Sequence, residues 1–208
     1  MLKVFHVPGS RSVRAVWLAH ELGVPFETVT MPFNLKVLRT PEYLSVSPLG
    51  RVPAISDGDV NLIESGAIAQ YLTWKHPEAG LGRAPGDPEW AEWIQWIHFA
   101  ETAAVHGASL VQQSVFVPPD QRSPIIDTLE GKRLLKAMEV IDARLEGRDW
   151  LLASGFSAAD VCVGYSVHLG AGFRNLDHLP RVSDYHARIK ARPAFQAAVA
   201  PVPGVSGS

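Results

Sequence analysis

Residues able to do chemistry concentrate in Gly50-Arg51-Val52-Pro53-Ala54-Ile55-Ser56-Asp57-Gly58 and its continuation from Asp59 to Leu72. Pro53 has no N–H and is poorly tolerated inside a strand, so it belongs at a strand's start or in a turn. Behind it Ala54-Ile55 reads as a short strand, Asp57-Gly58 as a hairpin turn and Val60 to Ile63 as the returning strand. A polar pair follows, Glu64-Ser65, and then Ala67, Ile68, Tyr71 and Leu72 recur at helical spacing. A helix start with a free Glu and Ser beside it exposes backbone N–H groups, and such a terminus suits an anion. The stretch therefore reads as one half of a binding site for a small, charged, peptide-like ligand. Each residue also has a plainer use: Glu64 and Ser65 as a mere helix start, Pro53 as a strand-entry proline, Arg51 as a solvated turn residue.

Other reactive side chains carry less. His98 and Glu101 share one helical face and His106 lies further along, but more ligands at suitable spacing are missing, so a pocket or packing role is expected and no metal. Cys162 is the only cysteine, which excludes a disulfide framework and any Cys-x-x-Cys site. It falls on an apolar helical stripe and should be buried and inert.

The elements that must position these residues follow from periodicity. Lys3 to Val7 is a β-branched and aromatic run, a first strand, broken by Pro8-Gly9-Ser10-Arg11-Ser12. Val13, Val16, Trp17 and His20 then recur at helical spacing, Gly23 caps the end and Pro25 prevents continuation. Phe26 to Met31 reads as a second strand, so strand, helix and strand imply a right-handed βαβ unit with parallel strands. Residues 34–48 look irregular, with one helical turn around Glu42 to Val46. Residues 1–77 thus form a small α/β domain closed by a mixed sheet. The Gly- and Pro-rich residues 78–87 are the linker. Residues 88–200 are all helical. The Trp90, Trp93, Ile94, Ile97 stripe opens them. Ser123-Pro124 supplies an N-cap and first position, and Ser157 with Asp160 has the layout of a capping box. A last helical region, Arg181 to Val199, is interrupted by Pro193, and residues 201–208 should be a mobile tail.

Bulk properties narrow the classes. With 208 residues, 47% hydrophobic and 19% charged, the chain can bury a substantial core. A net charge of −2 without a basic stripe argues against nucleic acid. No apolar run approaches a membrane span and no signal peptide is apparent, so a cytoplasmic protein with no membrane association is expected.

A thioredoxin-like α/β domain with a Val-Pro turn, joined to an all-helical domain, resembles a cytosolic glutathione transferase. Three passages carry the resemblance: Ser47-Pro48-Leu49-Gly50-Arg51-Val52-Pro53-Ala54, Glu64-Ser65-Gly66-Ala67-Ile68 and Phe156-Ser157-Ala158-Ala159-Asp160. It implies that Pro53 is cis and that Val52 pairs its backbone with the glutathione cysteinyl unit. It implies further that Glu64 meets the α-ammonium, that Ser65 takes the γ-glutamyl carboxylate, and that Arg51 lies near the glycyl end. Pro8-Gly9-Ser10-Arg11-Ser12-Val13-Arg14 looks like the serine-type classes, in which the catalytic serine precedes an arginine by four positions. That spacing selects Ser10, with Ser12 as the alternative because the sequence does not fix where the helix begins. Both serines also suit plain helix capping. His6 is not a tyrosine, and no cysteine stands at the helix start, so tyrosine-type and thiol–disulfide mechanisms are disfavoured. The resemblance implies glutathione as co-substrate, no metal, a hydrophobic electrophile as second substrate and a homodimer. His98, Phe99 and Thr102 are the candidates for the electrophile. A glutathione-dependent peroxidase, isomerase or dehalogenase, or a non-catalytic interaction module on the same fold, are the alternative functions.

Overall fold

The computed structural model describes residues 1–201; from residue 202 the expected mobile tail lies outside the described residues. The chain divides into two units, Met1–Ala84 together with the chain from Ala191 onward, and Pro85–Lys190.

The first unit is thioredoxin-like. Its elements are β1 (Leu2–His6), α1 (Val13–Leu22), β2 (Phe26–Thr30), α2 (Leu35–Leu38), α3 (Pro41–Leu44), β3 (Ala54–Asp57), β4 (Val60–Ile63) and α4 (Ser65–Lys75). The strands form one mixed sheet in the order β2-β1-β3-β4. β1 runs parallel to β2, and β3 is antiparallel to both β1 and β4. The parallel pair is the expected βαβ unit, because a helix is what carries the chain back to start a parallel strand. In β1 Leu2, Val4 and His6 are buried while Lys3 is exposed, the period-2 pattern of a strand with one face in the core. α1 ends at Gly23, whose φ of +66° is the left-handed cap conformation that glycine adopts without a Cβ penalty.

Three details differ from the sequence reading. His20, placed on the apolar face of α1, is exposed and meets Phe26 edge-on at 4.9 Å. Residues 34–48 hold two short helices. Asn34 caps α2 by accepting from the Lys36 N–H at 2.9 Å, and Thr40 caps α3 by accepting from the Tyr43 N–H at 3.3 Å. Helices of four residues are too short to display a 3.6-residue period. Finally α9 (Pro193–Val199), expected within the helical stretch 88–200, packs on α1 of the first unit. Phe195 meets Trp17 edge-to-face at 4.9 Å, and Arg192 donates twice to Glu21, at 2.6 and 2.7 Å. Pro193 ends the preceding helix and frees the chain to turn toward that face.

The second unit contains α5 (Trp90–Val115), α6 (Pro124–Arg144), α7 (Ala158–Ala171) and α8 (Pro180–Ala191). α7 is buried almost all round, as expected of a central helix. Its start carries the expected capping box: Ser157 and Asp160 bond each other's backbone ends. Asp160 also accepts from the Leu151 N–H at 3.0 Å and from the Tyr185 hydroxyl at 3.1 Å. Burial nevertheless raises its carboxyl to about 6, against the pull of these donors. Among the described residues no helix is long and apolar enough to cross a membrane.

Candidate functional site

Strand register brings the three passages of the first unit to one end of the sheet. Phe5 faces Ala54 across β1 and β3, and Ala54 faces Ile63 across β3 and β4. The residues after β1, those before β3 and those after β4 are therefore neighbours: the Val7–Ser12 turn, Val52-Pro53, and Glu64-Ser65.

The β3 entry is built around one carbonyl. The Val52–Pro53 bond is cis. Ahead of it the Arg51 carbonyl accepts from the Tyr43 hydroxyl at 2.7 Å and from the Ser47 hydroxyl at 2.8 Å. Burial pushes the Tyr43 phenol up to about 12, so it stays a neutral donor at any working pH. Gly50 has a φ of +59°, and a Cβ there would lie 2.5 Å from the Leu38 carbonyl oxygen. Val52 packs, half-buried, against Val7, Met31, Leu38, Tyr43 and Ala54, which leaves its backbone as the polar edge of the turn. The Arg51 side chain is exposed.

At the end of β4, Glu64 is exposed and has a φ of +71°, the only non-glycine residue among those described with a positive value. Left-handed backbone costs a residue with a Cβ about 1–3 kcal/mol, and such strain gathers at ligand clamps. Glu64 makes no side-chain cap on α4. Ser65 is buried, and its Oγ accepts from Arg14 Nη1 at 2.8 Å. Arg14 is itself only 2% exposed although it sits on α1, 51 residues earlier. The guanidinium thus ties the first turn of α1 to the first turn of α4. In the sequence Arg14 stands out by its spacing from Ser10. A charge set within the stripe of Val13, Val16 and Trp17 was the available signal, because a buried arginine needs a fixed acceptor.

The turn between β1 and α1 separates the two serines. Ser12 is fully buried and makes no side-chain cap. Its Oγ is turned inward, 2.9 Å from His6 Nδ1, and accepts from the Val7 N–H at 3.0 Å. Ser10 is half-buried, and its Oγ lies 2.7 Å from Ser12 Oγ and accepts from the Ser12 N–H at 3.2 Å. The amides of Ser10, Val13 and Arg14 are already bonded to the carbonyls of Val7, Ser10 and Arg11. The Ser10 hydroxyl is thus the more exposed of the two serine hydroxyls of this turn. His6 is buried and held down to about 4 by that burial. The local signal for it is the period of β1, which sets His6 on the face of Leu2 and Val4.

The three helical candidates differ in burial. His98 and Thr102 are exposed one turn apart on α5. Phe99, three residues before Thr102 and beside it on the helix, is half-buried. It meets Trp96 edge-to-face at 5.1 Å and lines a cavity of about 590 Å³ between α5 and α6, with Val140, Arg144 and Arg148. Among the described residues no cluster of three or more His, Cys, Asp or Glu side chains is placed to hold a metal ion. Cys162 is buried.

Known proteins resemble this chain in sequence and fold. The family model for the glutathione S-transferase N-terminal domain matches residues 1–73. A probable glutathione S-transferase GSTF1 of Oryza sativa subsp. japonica is 31% identical over 207 residues, covering 94% of each chain. Glutathione S-transferase 4 of Zea mays is 31% identical, covering 87% of this chain and 83% of its own. Among solved structures, a glutathione S-transferase from Xylella fastidiosa superposes with a TM-score of 0.84 at 25% identity, over 96% of this chain and 97% of that one. A sphingomonad glutathione S-transferase complexed with glutathione superposes with a TM-score of 0.82 at 27% identity, over 95% and 96%.

Proposed function

The chain belongs to the glutathione S-transferase family, and from that premise we propose that Ser10 activates the thiol of bound glutathione as a thiolate. The protein is a glutathione transferase with glutathione as its co-substrate. The observation that carries the choice of Ser10 is the contrast in the turn: the Ser12 hydroxyl is closed in by His6 and Val7, and the Ser10 hydroxyl is not.

A free thiol titrates at about 8.5 and is mostly protonated at neutral pH. A hydrogen bond to a charged group contributes about 1.5–3 kcal/mol, and a helix N-terminus about 0.3–1. At about 1.36 kcal/mol per unit, Ser10 and the start of α1 together lower the thiol by roughly one to three units. The thiol proton leaves to solvent. The sulfur lone pair then forms a C–S bond at the electrophilic carbon, and the leaving group departs with the electrons of its own bond. Ser10 donates a hydrogen bond throughout and is never acylated.

Recognition falls to the other two passages. The Val52 backbone pairs with the cysteinyl unit beside Pro53, Glu64 meets the α-ammonium, Ser65 and the α4 start take the γ-glutamyl carboxylate, and Arg51 reaches the glycyl carboxylate. His98 and Thr102 are the proposed contacts for a hydrophobic electrophile, with Phe99 as the third candidate. The protein is proposed to be a cytoplasmic homodimer, and sedimentation at a monomer mass would remove that assembly.

The decisive test is Ser10→Ala. The thiolate absorbance of bound glutathione, titrated with pH, should shift up by at least about one unit, and turnover of a generic aryl halide should fall at least about tenfold. Glutathione should still bind. An unshifted titration would transfer the role away from Ser10.

A further inference from the structure

We propose that His6 is a positioning residue for the thiol: acting through Ser12, it sets the direction in which Ser10 points its proton. The proposal rests on Ser10 as the thiol's hydrogen-bond donor and extends that reading inward by two residues.

Protons and lone pairs around Ser12 fix the direction of the Ser10 hydroxyl. A serine hydroxyl has one proton to give and two lone pairs to fill. Four polar atoms surround Ser12 Oγ: the Ser10 hydroxyl at 2.7 Å, His6 Nδ1 at 2.9 Å, the Val7 N–H at 3.0 Å and the Val7 carbonyl at 3.2 Å. The Val7 N–H can only donate, so it takes one lone pair in every arrangement. One lone pair and one proton are left to share among the rest.

Two arrangements follow, and they differ at Ser10. If His6 carries its proton on Nδ1, that N–H fills the second lone pair of Ser12. Ser10 then has no acceptor on its inner side. Ser12 gives its own proton to Ser10 Oγ at 2.7 Å in preference to the more distant Val7 carbonyl at 3.2 Å, and Ser10 also accepts from the Ser12 N–H at 3.2 Å. Both Ser10 lone pairs are filled, and its proton points outward to a ligand. If His6 carries its proton on Nε2, the bare Nδ1 must accept from Ser12. The vacant lone pair on Ser12 then takes the Ser10 proton, which points inward and cannot reach a sulfur.

Burial keeps the ring neutral near pH 7, with a pKa of about 4, so the choice lies between its two nitrogens and not between charge states. A thiolate at Ser10 demands the outward proton and therefore selects the Nδ1–H form of His6. In that state three donors stand in line, His6 to Ser12, Ser12 to Ser10 and Ser10 to sulfur, each polarising the next. This also explains why Ser12, at the N-cap position, caps nothing: its hydroxyl is committed to the chain.

The test titrates the thiol of bound glutathione in wild type and in Ser10→Ala, His6→Leu, His6→Asn and the double variant His6→Leu/Ser10→Ala. His6→Leu should raise the thiol pKa by about one unit, a tenfold loss of thiolate below the transition, while glutathione affinity changes little. His6→Asn, whose amide can still donate to Ser12, should restore most of the shift. In the Ser10→Ala background His6→Leu should add nothing, because its effect passes through Ser10. A shift in Ser10→Ala with none in His6→Leu would overturn this proposal and leave the Ser10 reading intact; no shift in either overturns both. Should His6→Leu fail to fold, two-bond proton–nitrogen correlations of the wild-type glutathione complex decide. A protonated Nδ1 on His6 supports the chain, and a bare Nδ1 overturns it.

Discussion

Glu64 combines two demands that pull against each other. Its carboxylate is the proposed partner of the ligand's ammonium, while its backbone sits at a φ of +71° that a residue with a Cβ adopts only at a cost. Glycine removes the cost and the carboxylate together; alanine removes only the carboxylate. Both variants should therefore raise the KM for glutathione by similar factors, on the order of tenfold for one lost charge-assisted bond. They should part in stability, with Glu64→Gly more stable than Glu64→Ala by about 1 kcal/mol after glycine's own entropic loss is set against the relieved strain. Paired denaturant titrations read the difference directly, and equal stabilities would mean that the backbone holds no strain there. Glu64 and Ser65 were legible in the sequence because they stand between a strand pattern and a helix pattern. Ser10 against Ser12 was not, because side-chain direction in an irregular turn depends on what lies behind it, here the buried His6. Arg14 was visible as a charge, but its acceptor lies 51 residues away, beyond any local pattern.

At the scale of elements, β3 begins where it does because the segment before it is held from two sides. Tyr43 and Ser47 both donate to the Arg51 carbonyl, and Gly50 passes under the Leu38 carbonyl with no room for a side chain. Gly50→Ala must accept both a left-handed φ and a carbonyl oxygen 2.5 Å from the new carbon, so it should lose about 2–5 kcal/mol of stability. Tyr43→Phe leaves the Arg51 carbonyl with Ser47, and should cost only about 1 kcal/mol. Adding Ser47→Ala to it removes the second donor from a part-buried carbonyl, so the double variant should lose more than the two singles combined. Strict additivity in that cycle would show that the carbonyl is not the shared element. The long elements of either unit could be read from sequence: period 2 in β1, apolar spacing in α1 and α5, the Ser123 and Ser157 caps. What could not be read was anything set by distance in space. α2 and α3 are shorter than the period that would reveal them. α9 is seven residues long, and nothing in its sequence says that Phe195 and Ala198 are buried against α1; Trp17 and Glu21 decide that.

Across the whole molecule, buried titratable groups make the two units respond differently to acid. In the first unit His6 has a folded pKa of about 4, below its unfolded value near 6.5. Between these values the unfolded chain binds more protons, so stability falls as pH drops from about 6.5 to 4. In the second unit His186 is likewise lowered to about 4 and His168 is lowered in the same direction, mainly by burial. Their rings are 3.1 Å apart at Nδ1 and Nε2, so charging either breaks into a pair that shares one proton. The second unit, however, also holds Asp160. Its folded pKa is about 6, above the unfolded carboxyl's 3.8, so there the folded state binds the extra proton. The sign reverses: Asp160 costs stability as pH rises from about 4 to 6, and returns it as pH falls through the same window. Asp160 thus offsets part of what the two histidines lose, whereas His6 has no such counterpart among the shifted groups of its unit. Hydrogen exchange at pH 7 and pH 5, corrected for intrinsic rates, should show protection of β1 and α1 falling on acidification, and protection of α7 falling by less than its two histidines alone would cause. Asp160→Asn lowers the second unit's stability by breaking the capping box. It also removes the offset, so α7 should then lose protection on acidification more steeply than in wild type. An acid response of α7 unchanged by Asp160→Asn would contradict this account of how the buried carboxyl protects the helical unit.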